Sequence, residues 1–221
     1  MPLMRVLLPP ACAGCGRYGS DVCGDCRAAL ASSGLVGEPF LAVDPAVVVG
    51  DALSLAMAAF AHRDTAQAIL RRLKYGGHRQ VVEPVARLAV PGLYRLLSLT
   101  GPAALVPVPL HASRYRDRGY NQAALVARSL GQMVRLPVWE ALARRRATKR
   151  QHGLDRATRL RNLGQAMVPS GRPPPGGGWA ARPVIVVDDI LTTGATLEAC
   201  ATALRTAGLP AVYGFALARE V

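Results

Sequence analysis

An α/β fold, with a mostly parallel twisted sheet flanked by helices, is predicted by three stretches of the chain. Val184-Ile185-Val186-Val187 is a run of four β-branched residues, the pattern of a strand buried on both faces beneath helices. Leu197, Cys200, Ala201 and Leu204 then recur at helical spacing on one face, closed by Gly208 and Pro210. Leu105-Val106-Pro107-Val108-Pro109-Leu110 reads as a short strand that ends early, because two prolines remove two ladder donors. A helix from about Ala123 to Val134 follows it.

Between the first strand and its helix lies the densest polar signal. Asp188 and Asp189 fall at the carboxyl end of the strand, where open α/β sheets bind ligands. Thr192, Thr193, Gly194, Ala195 and Thr196 then form a small hydroxyl-rich loop at a helix N-terminus. Such a loop turns several backbone N–H groups toward one spot, which suits a phosphate. Successive residues of an extended segment point to opposite faces, so the two aspartates are expected to divide their tasks. The alternative is a strand with a polar end and an ordinary capped helix.

Composition bounds the class. The 221 residues fit one medium domain with a small appendage, and 51% are hydrophobic. No apolar run approaches the ~20 residues a membrane span requires, so no membrane insertion is expected. The segment Met1 to Pro10 is broken by Pro9 and Pro10 and does not read as a cleaved signal peptide, which makes a cytoplasmic protein the default. The net charge is +13, and Lys74 and Lys149 are the sole lysines. GC-rich codon usage would favour arginine in any case, but the excess of bases over acids points to a polyanionic ligand.

Cys12, Cys15, Cys23 and Cys26 form two C-x2-C pairs separated by seven residues. That spacing supplies a tetrahedral S4 shell to structural zinc and leaves no coordination site open for catalysis. Two disulfides or four unrelated thiols are the rivals, and disulfides fit a cytosolic chain poorly. Cys200, on the apolar face of the last helix, reads as core.

The remaining elements are plainer. Arg27 to Gly37 reads as a short helix with a Ser-Ser-Gly stop, and Asp51 to Ala61 as a strand or buried segment. A turn at His62-Arg63-Asp64-Thr65 opens a helix toward Lys74-Tyr75, and a second helix covers Val81 to Leu97. His62 and His78 read as surface or helix-end histidines. Arg114, Arg116 and Arg118 lie in a predicted loop, followed by Gly119, Tyr120, Asn121 and Gln122. This is a second anion site or a solvated basic loop.

Residues 184–196 resemble, along their whole length, the 5-phosphoribosyl diphosphate signature of type I phosphoribosyltransferases. Val106-Pro107-Val108-Pro109-Leu110-His111, Arg114 and Arg118-Gly119-Tyr120-Asn121-Gln122-Ala123 widen the likeness to the ComF family of competence-related, phosphoribosyltransferase-like proteins. So do Lys74-Tyr75, Thr148-x-x-Gln151-x-x-Leu154, Arg159-x-x-Asn162 and the four cysteines, which resemble that family's N-terminal zinc knuckle. Met167, where the family has phenylalanine, and the Pro/Gly-rich loop Arg172 to Arg182 depart from the pattern.

The resemblance implies a type I phosphoribosyltransferase-like domain over residues 41–221 after a knuckle and short helix over 1–40. It implies a 5-phosphate held by Thr192 to Thr196 and ribose hydroxyls served by Asp188 and Asp189, which would also stabilise a ribosyl cation. Pyrophosphate would meet the loop Arg114, Arg118, Gly119, Tyr120, Asn121 and Gln122, and Lys74 and Tyr75 would add contacts. The block Arg144 to Arg161, with Thr148, Gln151, Arg159 and Asn162 in and beside it, would be a lid. Magnesium would bridge diphosphate and sugar while keeping most of its water.

Two function classes follow. One is phosphoribosyl transfer from the sugar diphosphate (or a related sugar phosphate) to an unidentified acceptor. The other is a single-stranded-DNA-binding module working with DNA-uptake proteins. The basic charge favours DNA, whereas the 5% aromatic content argues against a stacking platform, leaving Tyr75, Tyr115 and Tyr120 as the evident stackers.

Overall fold

The computed structural model describes residues 9–35, 51–75, 77–145, 166–176 and 178–220. In chain order, helix α1 spans Gly24–Ser32, strand β1 Leu55–Ala61, α2 Asp64–Tyr75 and α3 Val82–Thr100. Strand β2 is Ala104–Pro107, followed by α4 Ala112–Arg118 and α5 Gln122–Val134. A hairpin of β3 Leu142–Arg144 and β4 Met167–Pro169 precedes β5 Val184–Leu191, α6 Ala195–Thr206 and β6 Val212–Arg219.

The main sheet has the order β1-β6-β5-β2, and every pair in it is parallel. The predicted α/β class is therefore what the chain adopts. Strand β5 is central and buried, and its two-residue period splits the core in two. Ile185 and Val187 face the layer of α2, α3 and α5, together with Phe215 and Leu217. Val184 and Val186 face Leu197, Cys200 and Leu204 of α6. Continuing the same alternation puts Asp189 on the α2 side and Asp188 on the α6 side.

The short proline-bearing strand behaves as its chemistry requires. Leu105 donates to Pro137 O at 2.9 Å and accepts from Trp139 N at 2.8 Å, so residues 137–139 cover the outer side of β2. Val108 donates inward to Val187 O at 2.9 Å. By alternation Pro107 and Pro109 turn their donorless nitrogens outward, past the point where that cover ends.

Several boundaries differ from the sequence reading. The basic stretch Arg114 to Arg118 is not a loop but the helix α4. His111 caps it by accepting from Ser113 N, and Gly119 ends it at φ 73, a left-handed turn that suits glycine. Helix α1 begins at Gly24, ahead of the expected Arg27, so Cys26 lies within its first turn. Helix α3 runs on to Thr100 through an internal Pro91.

The knuckle is welded to the sheet domain. Cys12, Ala13, Val22, Cys26 and Leu30 share one apolar cluster with α2 and α3. Arg72 of α2 donates to Cys12 O at 2.7 Å. Residues 33–35 pair antiparallel with β1, through Leu35 N to Ala59 O at 2.8 Å and Ala61 N to Ser33 O at 3.0 Å. That pairing covers an edge which would otherwise offer unpaired backbone groups. Among the described residues, no helix is long and apolar enough to cross a membrane.

Candidate functional site

A cavity of about 790 Å³ opens over the carboxyl ends of β1, β5 and β2. Asp188 and Asp189 form part of its floor, and Thr192 and Thr196 part of its wall. Gly194 stands immediately before α6 at φ 75 and accepts from Glu198 N at 2.9 Å. The amides ahead of Glu198 in that first turn have no intrahelical acceptor, so they remain available to an anion.

The aspartates differ in surroundings. Asp189 is 3% exposed, and its Oδ2 lies 3.0 Å from Nζ of Lys74, at the end of α2. This is a charge contact, because the same oxygen has no partner in hydrogen-bonding geometry among the described residues. Asp188 is half-buried and accepts from Asp189 N at 2.8 Å. Burial, then the neighbouring Asp189 carboxylate, push the Asp188 carboxyl up to about 8, while Asp189's backbone amide and Lys74 oppose the rise. On that side stands Arg144 of β3, whose own basicity is lowered by burial and by Arg114 and kept up in part by Asp188. Two adjacent carboxyl groups at the end of a buried strand are costly to ionise together unless a ligand or counter-charge meets them.

The segment after β2 supplies the opposing charge. Arg114, Arg118, Asn121 and Gln122 all line the cavity. Asn121 caps α5 by accepting from Ala123 N at 3.0 Å, and donates to Val108 O at 2.9 Å, which ties the helix start to the strand end. Gln122 is 7% exposed, and its Oε1 has no hydrogen-bond partner among the described residues. Tyr120 and Gly119 are not in the cavity wall. Tyr120 is buried, donates to Leu73 O, and carries the Arg79 guanidinium 4.5 Å over its ring. Arg79, in the turn between α2 and α3, also donates to Gly119 O at 3.0 Å, so Tyr120 ties the end of the basic helix to α2 and Gly119 ties it to the turn that follows. Tyr75 is exposed, with Arg118 5.2 Å over its ring, and both line the cavity.

The cysteines meet at the N-terminus. The four sulfurs of Cys12, Cys15, Cys23 and Cys26 lie within 4.8 Å of one another, and none is in a disulfide. Cys15 Sγ and Cys23 Sγ are 3.7 Å apart, close to the edge of about 3.8 Å that a tetrahedron with ~2.3 Å metal–sulfur bonds requires. Burial works to raise the Cys12 thiol, but backbone N–H groups of Cys15, Cys23 and Gly14 outweigh it and bring the thiol down to about 6. Burial and the neighbouring sulfurs push Cys26 up. The cluster can hold a metal ion.

Of the expected site residues, the cavity thus gathers Asp188, Asp189, Thr192, Thr196, Arg114, Arg118, Asn121, Gln122, Lys74 and Tyr75. Thr193, Gly194 and Ala195 build the turn beside it. Thr148, Gln151, Arg159 and Asn162 lie outside the described residues, in the connection between β3 and β4, whereas Arg144 at its near end lines the cavity. Sequence reasoning missed His62, Asp64, Arg71 and Glu220, which also line it. His62 directly follows Asp51 to Ala61, read as a strand or buried segment, and a place at a strand's carboxyl end was the available signal. Asp64 adopts φ 45, a left-handed backbone that pattern reading does not reveal.

The chain is 30% identical over 220 residues to competence protein F of Haemophilus influenzae, an alignment covering 95% of this chain and 85% of that protein. It is 32% identical over 161 residues to the DNA utilization protein YhgH of Escherichia coli K12, covering 69% and 66%. A Salmonella typhimurium protein described in the same words is 30% identical over 163 residues, with the same coverage. No family model matches the chain. Identity along nearly the full length joins the ordered motifs to one conclusion: the chain belongs to the competence protein F (ComF) family.

Proposed function

We propose that this chain serves DNA uptake or utilization, the roles named in its relatives, by binding 5-phosphoribosyl diphosphate with magnesium in the cavity over β5. The observation that carries the reading is the meeting of three kinds of group in one cavity. A phosphate-type turn, a pair of half-buried and buried carboxylates, and the basic helix α4 all face the same space. A sugar carrying phosphate at one end and diphosphate at the other has matching chemistry at each position.

The residues then divide as follows. The turn Thr192 to Thr196 takes the 5-phosphate through backbone amides and hydroxyls. Asp189 accepts from the ribose hydroxyls, as does Asp188 once a cation beside it lowers its raised carboxyl, and both then favour positive charge at the anomeric carbon. Arg114 and Arg118 bind the diphosphate, and the unpaired Oε1 of Gln122 accepts from a ligand hydroxyl or a metal-bound water. Hard carboxylate oxygens beside a diphosphate suit magnesium, which would neutralise that group when bound. Transfer of phosphoribose to an acceptor is the reaction this arrangement supports.

In the knuckle, the S4 donor set and its edge length fit zinc in a structural role. A C-x2-C pair of pairs that serves a metal suits a reducing compartment better than an oxidising one, and we place the protein in the cytoplasm. The knuckle with its helix, residues 1–40, and the phosphoribosyltransferase-like domain, 41–221, are proposed as the two units.

The second reading is a single-stranded-DNA module using the same cavity. The net charge of +13 and exposed Tyr75 and Tyr115 beside the α4 arginines favour it. One competition experiment separates the two. Isothermal calorimetry should show binding of the magnesium sugar diphosphate, and pyrophosphate should be released with some member of a panel of amines, bases and nucleotides. Oligo-dT bound with a steep salt dependence, unaffected by the sugar diphosphate and with no pyrophosphate released, would favour the DNA reading.

A further inference from the structure

We propose that His62 is the general base on the acceptor side of the cavity, taking the proton of the incoming group as phosphoribose is transferred. This rests on the sugar-diphosphate reading above and adds a catalytic residue to it.

The sheet order supplies the geometry. Arg114 and Arg118 follow β2, at one end of the order β1-β6-β5-β2, and His62 follows β1, at the other. Asp188 and Asp189 end β5 between them. His62 N donates to Arg219 O at 2.6 Å and Glu220 N donates to Leu191 O at 3.0 Å, which fixes the three strand ends to one another. With strands ~4.8 Å apart, His62 stands roughly 10 Å from the end of β5, about the span of a pentose and an incoming group. Displacement at the anomeric carbon needs the incoming atom opposite the departing oxygen. If the basic end holds the diphosphate, the acceptor enters from the β1 end, where His62 lines the wall.

The surroundings of His62 suit a base. Burial lowers its basicity and so favours the neutral imidazole, and Lys74 from α2 acts in the same direction. Glu220 from the end of β6 and Asp189 from β5 act the other way, so the imidazolium formed on proton transfer has counter-charge on two sides. Asp64, two residues on, is exposed, as is Glu220, and water-exposed carboxylates are far weaker bases than an imidazole.

The step balances. The acceptor's lone pair forms the bond to the anomeric carbon, and the bond from that carbon to the diphosphate oxygen breaks. Pyrophosphate leaves with the electron pair, the acceptor's proton passes to the unprotonated ring nitrogen of His62, and solvent water later removes it.

His62→Gln keeps the size and hydrogen bonding of the side chain without its proton chemistry. Calorimetry with magnesium and 5-phosphoribosyl diphosphate should give the same affinity for both proteins within about two-fold. Pyrophosphate release, with the acceptor panel and with water, should fall by about 10² or more in kcat. The wild-type profile should lose rate on the acid side as His62 and Asp188 protonate, the variant should keep only the Asp188 part of that limb, and free imidazole should restore part of the rate to His62→Ala. Equal kcat and an unchanged pH profile in His62→Gln would overturn the assignment while leaving the site reading intact. A wild-type protein that binds the sugar diphosphate yet releases no pyrophosphate with any acceptor would overturn it too. Absence of binding to either protein would remove the site reading itself.

Discussion

The cysteine knuckle and the β5 cavity both concentrate polar groups, but they complete themselves differently. The knuckle draws four like ligands from fifteen consecutive residues, and its sulfurs already stand at metal-binding separations. The cavity draws unlike groups from the ends of β1, β2 and β5 and from α2, α4, α5 and β3. It leaves two oxygens, the Asp189 Oδ2 and the Gln122 Oε1, without a hydrogen-bond partner among the described residues, the first met only by the charge of Lys74. The first arrangement stabilises the fold once a metal is present. The second, on the proposed reading, would hold unfavourable groups in place for a ligand, the usual cost of a preorganised site.

The largest effect expected from that contrast is at the knuckle. Because its residues share a core with α2 and α3, stripping the metal should destabilise the whole chain by several kcal/mol, a fall in Tm of roughly 10 °C or more. Differential scanning calorimetry before and after chelation checks this, and an unchanged Tm with the metal gone would make the two regions alike. A smaller effect is expected in the cavity floor. Lys74→Met leaves the Asp189 carboxylate buried without its cation, at a cost of roughly 3 kcal/mol, the low end for a buried pair because the Lys74 side chain is 21% exposed. The guanidinium midpoint should fall with an unchanged slope, and adding Asp189→Asn should recover part of the loss.

Regular spacing explains what the sequence disclosed. Strand β5 and helix α6 were legible because a buried parallel strand and a one-faced helix each leave a periodic apolar signature, and the cysteine spacing is equally local. The helix at Arg114 to Arg118 was not legible. Its seven residues bury none of their side chains, so they carry no apolar stripe, and its existence depends on the His111 cap and the left-handed Gly119. His62 was passed over for a different reason. Its role as a cavity residue arises from strand order, which places β1 beside β6, although 151 residues separate Ala61 from Val212 by number. The placement of Asp188 and Asp189 on opposite sides of β5, by contrast, followed from strand alternation alone.

The pH dependence of the cavity gives the sharpest single test. Asp188 is raised in the fold from an ordinary value of 3.8 to about 8. Its protonated form is therefore favoured by folding, and the stability this confers is complete below about pH 4 and is lost as pH rises toward 8. Thermal unfolding of wild type and Asp188→Asn, from pH 4 to 8.5 with and without the magnesium sugar diphosphate, reads both consequences at once. The account predicts that the variant becomes the more stable protein as pH rises, by up to a few kcal/mol, while the ligand raises Tm in wild type alone. A variant no more stable than wild type at pH 8, with its ligand-induced shift intact, would contradict it.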